Sequence, residues 1–240
     1  MQPDAVVMAM KLSVIVPVYN ERETIGEILE RVRAADLAPF EKEIVVVDDC
    51  SKDGTRELLP RLVRTEGGAE MLVFHEQNQG KGAAIRTGLR AASGDYVVIQ
   101  DADLEYDPNE IRRLCEPILA GTATVVYGSR FLGKIRRMTF RQWVGNKGLT
   151  VLTNLLYGAS LTDMETCYKL MPAAAVKSLN LRAQRFDFEP EVTAKLLRRG
   201  ERIVELPVSY AARADDAGKK ISWKDGFPAL WALLKYRFVD

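Results

Sequence analysis

Apolar residues fall along this chain in short blocks that alternate between two periods. Residues 12–19 (Leu-Ser-Val-Ile-Val-Pro-Val-Tyr) are nearly continuous and β-branched, the pattern of a buried strand closed by Pro17. Residues 43–49 repeat it and run into two carboxylates, Asp48 and Asp49. Residues 71–74, 96–100 and 122–127 continue the series, and 203–207 adds a strand that Pro207 confines to a sheet edge. Between these blocks apolar positions take helical spacing: Ile25, Ile28, Leu29 and Val32; Leu58, Leu59, Leu62 and Val63; residues 109–119; and Val192, Leu196 and Leu197 up to Gly200. Asn20 with Glu23 three residues on reads as the capping box of the first helix, and Thr55 as the cap of the second. The N-terminus of the first helix would then aim free N–H groups at the sheet edge, an anion site. Strand–helix alternation predicts an α/β fold, a mostly parallel sheet flanked by helices.

Beyond Arg130 the pattern changes. Lys134, Arg136, Arg137, Arg141 and Lys147 interleave with Phe131, Phe140, Trp143, Leu149, Val151, Leu152, Leu155 and Leu156. Such a basic, Trp-bearing stretch suits interface helices lying on a membrane, or equally a helix packed on the sheet with a solvated basic face. Residues 161–169 return towards the sheet. Residues 213–220 are polar with no apolar anchor and read as a mobile loop. Residues 223–238 place Phe227, Leu230, Trp231, Leu233, Leu234 and Tyr236 on an amphipathic helix too short to span a bilayer.

Composition narrows this picture. The 240 residues are 47% apolar, enough for the core of one large domain, and 28% charged with a net charge of +1. That balance argues against a general nucleic-acid binder. Cys50, Cys115 and Cys167 show no C-x-x-C pairing and read as reduced, mostly buried thiols of a cytoplasmic protein. The single His75, at a strand end, reads as solvated or locally bonded. Residues 1–10 do not look like a signal peptide, and no apolar run reaches spanning length.

Candidate chemistry gathers at strand ends, where open α/β sheets bind ligands. The fourth strand runs into Asp101, Asp103 and Glu105. Alternating acids there suit a hard cation, Mg²⁺ or Mn²⁺, that shares its shell with substrate phosphates, although a solvated acidic turn would read the same way. Asp49 stands ready to accept from a base or ribose. Gly80-Lys81-Gly82 resembles a phosphate loop in composition without its spacing. Arg130, Arg141, Arg213 and Lys219 or Lys220 could meet further anionic oxygens. Together these features want a phosphate-rich substrate, and a nucleoside diphosphate leaving group fits.

Five motifs, in order, carry a family resemblance: Val-Pro-Val-Tyr-Asn-Glu (16–21), Val-Val-Asp-Asp-Cys-Ser-Lys-Asp-Gly-Thr (46–55), Asn-Gln-Gly-Lys-Gly-Ala-Ala (78–84), Asp-Ala-Asp-Leu-Glu (101–105) and Gly-Ser-Arg (128–130). The chain resembles the family 2 inverting glycosyltransferases, most of all the dolichyl- and polyprenyl-phosphate mannose synthases. That resemblance implies a single GT-A-like, Rossmann-like domain over 1–240. Its parts would be a nucleotide-sugar-binding half at 11–130, interface helices at 131–160, and an acceptor side at 161–240. Pro17, Tyr19, Glu21, Val47 and Asp49 would line the nucleoside pocket. Asp101, Ala102, Asp103 and Glu105 would hold Mg²⁺ or Mn²⁺ and the diphosphate. Arg130 and Arg141 would touch the phosphates of donor and acceptor, forming the catalytic set with Asp103. Arg213 and Lys219 would sit on a loop closing over the donor. The implied donor is GDP-mannose, with UDP-glucose second. The implied acceptor is a polyprenyl phosphate, reached by peripheral contact at the cytoplasmic face of a membrane or through a membrane subunit. Two departures stand out: Glu105 where Gln is frequent, and Thr166-Cys167 where Ser-Gly is usual.

The acceptor sets the mechanism. A lipid monophosphate is already an oxyanion, so positioning and charge stabilisation suffice for in-line displacement with inversion. A soluble hydroxyl acceptor would need a base, with Asp163, Asp187 and Glu191 as candidates. A non-catalytic nucleotide-sugar-binding partner of a membrane complex is the remaining alternative.

Overall fold

A computed structural model of the chain describes residues 10–213 and 226–239. Apolar strand runs find their partners in register. β1 (Lys11–Val18) pairs in parallel with β2 (Glu41–Asp48), which pairs with β3 (Glu70–Phe74); on its other side β1 pairs in parallel with β4 (Tyr96–Ile99). β5 (Val125–Ser129) pairs in parallel with the edge strand β8 (Ile203–Pro207), where Pro207 needs no ladder donor. The sheet order is β3-β2-β1-β4-β7-β5-β8. β6 (Ile135–Arg136) and β9 (Tyr210–Ala211) form a small parallel ribbon beside it. Side chains of β1, β2, β4 and β5 are almost all buried, as expected of strands covered on both faces.

β7 (Lys169–Pro172) enters antiparallel between β4 and β5, the one reversed strand of the sheet. Its four residues are too few to show a period, and the polar turn before it hides its direction. Tyr168, immediately before it, is fully buried and donates to Gln100 Oε1 at 2.7 Å.

Helices connect the strands: α1 (Ile25–Ala34), α2 (Thr55–Leu62), α3 (Lys81–Ala91), α4 (Ile111–Leu119), α5 (Phe140–Tyr157), α6 (Ala173–Lys177), α7 (Phe188–Arg198) and α8 (Gly226–Phe238). The expected capping box at α1 and the expected Thr55 cap at α2 do not form. Thr24 precedes α1, and Asn20 instead accepts from Lys52 N at 2.8 Å, tying two loops together. Thr55 lies inside α2, where its Oγ1 accepts from Glu21 N at 3.0 Å and donates to Asp53. Among the described residues a full capping box sits at α5, built by Thr139 and Gln142. Residues 131–160 therefore hold one long helix after a short ribbon strand, rather than several helices.

A second, smaller core lies outside the sheet, where Leu161, Met164, Ala194, Ala232, Leu233 and Tyr236 join α5, α7 and α8. Tyr157 OH donates to Leu233 O at 2.7 Å and Arg198 to Tyr236 O at 3.1 Å, fastening α8 in place. No described helix is long and apolar enough to cross a membrane. Trp223 and residues 214–225 lie outside the described residues.

One buried carboxylate anchors the amino-terminal end of the sheet. Burial alone would push the Glu43 carboxyl up, but Ser13 Oγ at 2.5 Å, Ser93 Oγ at 2.6 Å, Ser93 N at 2.8 Å and Lys11 Nζ at 2.9 Å overcome it and pull it down to about 2. A carboxyl depressed in the folded state stabilises above its unfolded pKa and loses that contribution as pH falls through the folded value. Glu43→Gln is thus expected to cost about 3 kcal/mol in urea unfolding at pH 7. The difference from the parent should shrink between about pH 4.5 and pH 2. A pH-independent difference would contradict this origin.

Candidate active site

The chain leaves β1 towards β2 on one side and later places β4 on the other. The carboxyl ends of β1 and β4 therefore flank the switch point of the sheet, where such folds form a crevice. A cavity of about 840 Å³ opens there. Pro17, Tyr19 and Glu21 after β1, and Asp101, Ala102, Asp103 and Glu105 after β4, all line it. Its opposite wall is α5 and the start of α8, through Gln142, Gly145, Leu149, Gly226 and Ala229.

The acids at this edge are crowded and held by cations. Arg213 Nη2 lies 2.8 Å from both Glu21 Oε1 and Asp103 Oδ2. Burial, then the neighbouring charges of Asp101 and Glu105, push the Asp103 carboxyl up to about 7 against the pull of Arg213. Lys81 Nζ bridges Asp101 at 2.9 Å and Glu189 at 3.0 Å. Burial works against the Lys81 charge, but these two carboxylates outweigh it and hold the ammonium well above its usual range. Glu105 turns to other partners: Oε1 accepts from Arg213 N at 2.9 Å and Oε2 from Tyr210 OH at 2.8 Å.

A metal site of Asp101, Asp103 and Glu105 together is therefore not what forms. Among the described residues no group of three or more His, Cys, Asp or Glu side chains is arranged to hold a metal. Asp101 and Asp103 remain, and two carboxylates suit Mg²⁺ that keeps water and substrate phosphate as its other ligands. Glu105 positions Tyr210 and the backbone at Arg213 instead.

The expected nucleoside residues separate into two groups. Pro17, Tyr19 and Glu21 reach the cavity, while Val47 is fully buried in β2 and does not line it. Asp49 lines it, but its carboxylate also shapes the 75–80 loop, accepting from Gln79 N at 2.8 Å and Gly80 N at 2.7 Å and meeting His75 Nδ1 at 2.8 Å. His75 is buried and its other ring nitrogen meets Thr87 Oγ1 at 2.9 Å, so it is locally bonded rather than solvated. Before α1, Asn20 N, Glu21 N and Arg22 N reach Ser51, Thr55 and Asp53, and Thr24 N and Ile25 N reach Glu21 O, so the turn leading into the helix is tied down by its own chain. The Gly-Lys-Gly stretch is not a phosphate loop. Gly82 N and Ala83 N donate to Arg185 O and Gln184 O, and a Cβ at Gly80 would stand 2.4 Å from Gln184 O. These glycines let two backbones meet, which aims Lys81 at the acids.

Arg130 is buried in an ion pair rather than offered whole to a phosphate. Its Nε and Nη2 reach Asp163 at 2.7 and 2.8 Å, and its guanidinium lies 5.2 Å from the Tyr210 ring centre. Nη1 is the nitrogen left for the cavity that Arg130 lines. Arg141 is exposed on α5 and lines the same cavity. Lys219 lies outside the described residues. Two of the three candidate bases are committed, Asp163 to Arg130 and Glu191 to Lys195 and the backbone of Arg182 and Ala183; Asp187 accepts one backbone bond, from Arg185 N at 2.9 Å.

Lys81, Glu189 and Glu165 also line the cavity and were not picked out from the sequence as site residues. Lys81 had its glycine flanks as a signal. Glu189 had its place in the acidic 186–191 run. Glu165 had none.

Outside the cavity, α5 and α8 expose a broad apolar band. Phe140 is 80% exposed and Trp231 66%, joined by Trp143, Val151, Leu155 and Phe238, with Arg136 and Arg137 exposed nearby and Arg141 between them and the cavity it lines. Phe140 stacks on Trp143 with ring centres 6.3 Å apart.

The Glycosyl transferase family 2 model matches residues 13–179. The UDP-N-acetylglucosamine–dolichyl-phosphate N-acetylglucosaminyltransferase of Methanococcus voltae is 28% identical across 95% of this chain and 96% of that protein. The undecaprenyl-phosphate 4-deoxy-4-formamido-L-arabinose transferase of Edwardsiella ictaluri is 30% identical across 87% of this chain. The chain spans about three-fifths of the length of that relative, 62%. Among solved structures, the glucosyl-3-phosphoglycerate synthase of M. tuberculosis superposes with a TM-score of 0.72 at 21% identity, covering 96% of this chain and 82% of that one. The same enzyme with Mn²⁺, UDP and phosphoglyceric acid gives 0.71 at 19% identity, covering 96% and 80%.

Proposed function

Starting from a chain that belongs to glycosyl transferase family 2 and has the GT-A fold, we propose that it moves a sugar from a nucleoside-diphosphate donor to a polyprenyl phosphate at a membrane surface, with inversion. One observation carries this reading. A single cavity runs from the acidic edge at Asp101 and Asp103 to the helices that expose the apolar and basic band. Donor and lipid acceptor can therefore meet in it. The names of the curated relatives, which act on dolichyl and undecaprenyl phosphates, support the acceptor. A UDP-sugar is the better supported donor, because UDP appears in the name of one relative and in the complexes of the structural neighbours. GDP-mannose, implied by the motifs, is the alternative.

The residues divide the work. Pro17, Tyr19 and Asp49 would bound the nucleoside. Asp101 and Asp103 would hold a divalent cation together with the donor's diphosphate; bound there, such a cation supplies charge neutralisation for the leaving group. Lys81, bridging Asp101 and Glu189, fixes one acid in place. Arg213 ties Glu21 to Asp103 and so sets the spacing of the β1 and β4 edges. The free Nη1 of Arg130 and the exposed Arg141 stand where they can orient anionic oxygens of the acceptor. A lipid phosphate attacks as it stands, so catalysis rests on orientation and charge rather than on a base. The commitment of Asp163 and Glu191 to other partners favours this reading over a soluble hydroxyl acceptor.

Sedimentation with vesicles tests the acceptor side. The parent should pellet with anionic vesicles, more weakly as salt rises, and a Phe140→Asp/Trp231→Asp variant should stay in solution with its unfolding midpoint unchanged. A parent that stays in solution at low salt would contradict membrane contact.

A further inference from the structure

Glu165 sits where an ordinary structural side chain would not. It lines the cavity together with Lys81 and Glu189, close to Glu189, on the turn between α5 and β7. Its Oε1 is shut off from solvent and has no hydrogen-bond partner among the described residues. Buried carboxyl oxygens are rarely left in this state, because an unmade hydrogen bond costs stability. Neither cation nearby relieves it. Lys169 Nζ is spent on Met164 O and Thr166 O, and Arg130 on Asp163. Thr166 Oγ1 is orphaned too, but Thr166 does not line the cavity.

The position along the cavity says what could satisfy Glu165. Asp101 marks the diphosphate edge. Lys81 ties Asp101 to Glu189, so Glu189 is one side chain away from Asp101 and Glu165 is its neighbour. In a nucleoside-diphosphate sugar the group one step beyond the diphosphate is the sugar ring. A ring is rich in hydroxyl groups, each a donor and an acceptor. The last side-chain torsion of a glutamate is broad, so either oxygen can turn to the cavity.

We propose that Glu165 is a sugar-recognition residue, hydrogen-bonding a hydroxyl of the transferred sugar from the inner wall of the cavity; this rests on the donor reading given above. Burial first, and the nearby Glu189 charge second, raise the Glu165 carboxyl to about 8, against the opposing pull of Lys169 and Arg130. The shift favours the protonated form, which can donate as well as accept. An amide has the same shape and also donates, whereas an apolar side chain does neither. Discrimination by hydrogen bond is the sharper kind, since an unpaired buried polar group penalises a sugar that lacks the matching hydroxyl.

Calorimetric titration of parent, Glu165→Gln and Glu165→Met separates the outcomes. The probes are UDP, GDP, UDP-N-acetylglucosamine, UDP-glucose and GDP-mannose. In the parent at least one nucleotide sugar should bind, and Glu165→Met should weaken that sugar at least tenfold while changing its bare nucleoside diphosphate less than twofold. Glu165→Gln should stay within about threefold of the parent for both. Glu165→Met should also unfold at the same or a higher urea concentration, because an orphaned carboxyl has been removed. Equal weakening of the sugar and the bare diphosphate, or no weakening of either, would overturn the assignment of Glu165 and leave the donor reading intact. A parent that binds none of the five probes would instead overturn the donor reading itself.

Discussion

Asp103→Ala should reduce sugar transfer by at least about a hundredfold while leaving the protein folded, since removing one preorganised charge-handling group from an active site typically costs two to three orders of magnitude in rate. Asp103 stands at the switch point, on the cavity, with its neighbours Asp101 and Glu105 pressing like charge upon it. Such crowding does nothing for stability. It is tolerated where a cationic ligand or a phosphate-bearing substrate will use the charge. The variant keeps Arg213 on Glu21, so no cation is stranded. Its urea midpoint is therefore expected to equal or exceed the parent's. Transfer at the parental rate would show that Asp103 is only part of an acidic turn.

Asp163→Ala should have the opposite signature, a large loss of stability. Asp163 is fully buried and holds Arg130 by its backbone N at 2.9 Å, by Nε at 2.7 Å and by Nη2 at 2.8 Å. Arg130 is itself 6% exposed. Removing the carboxylate leaves a guanidinium between Phe131 and Tyr210 with no counter-charge. Breaking one side of such a pair costs about 3–5 kcal/mol. Urea unfolding read by tryptophan fluorescence would measure it. Replacing both partners, Asp163→Leu with Arg130→Met, should restore most of the loss, because a well-packed apolar pair often matches a buried ion pair. A single-variant cost below about 1 kcal/mol would mean the pair is not buried as described.

β1, β2 and β4 were legible because each buries both faces and so reads as an unbroken apolar run. The acids at 48–49 and 101–105 were legible because a strand that stops abruptly at charge marks the sheet edge. β7 was not, since four residues inserted antiparallel between β4 and β5 depend on pairing partners more than forty residues away in sequence. Caps failed at Asn20 and Thr55 for a related reason. Polar side chains at strand–helix junctions can serve a neighbouring loop as easily as their own helix, and here Asn20 serves Lys52 while Thr55 serves Glu21. The glycines at 80 and 82 looked like phosphate chemistry but answer to the backbone of residues 183–185. Glu105 looked like a third ligand but is taken by Tyr210 and Arg213, residues over a hundred positions away. Which atom an acid serves is set by such distant partners, and they leave no local trace.

The most direct test is transfer itself. Purified protein would be incubated with Mg²⁺ or Mn²⁺, a radiolabelled UDP-sugar or GDP-mannose, and vesicles containing polyprenyl phosphate, and the label counted in the organic extract. The expected result is lipid-borne label that requires both the lipid phosphate and the cation and disappears in Asp103→Ala. Label that never enters the lipid with any donor, while a soluble hydroxyl acceptor is glycosylated, would contradict it.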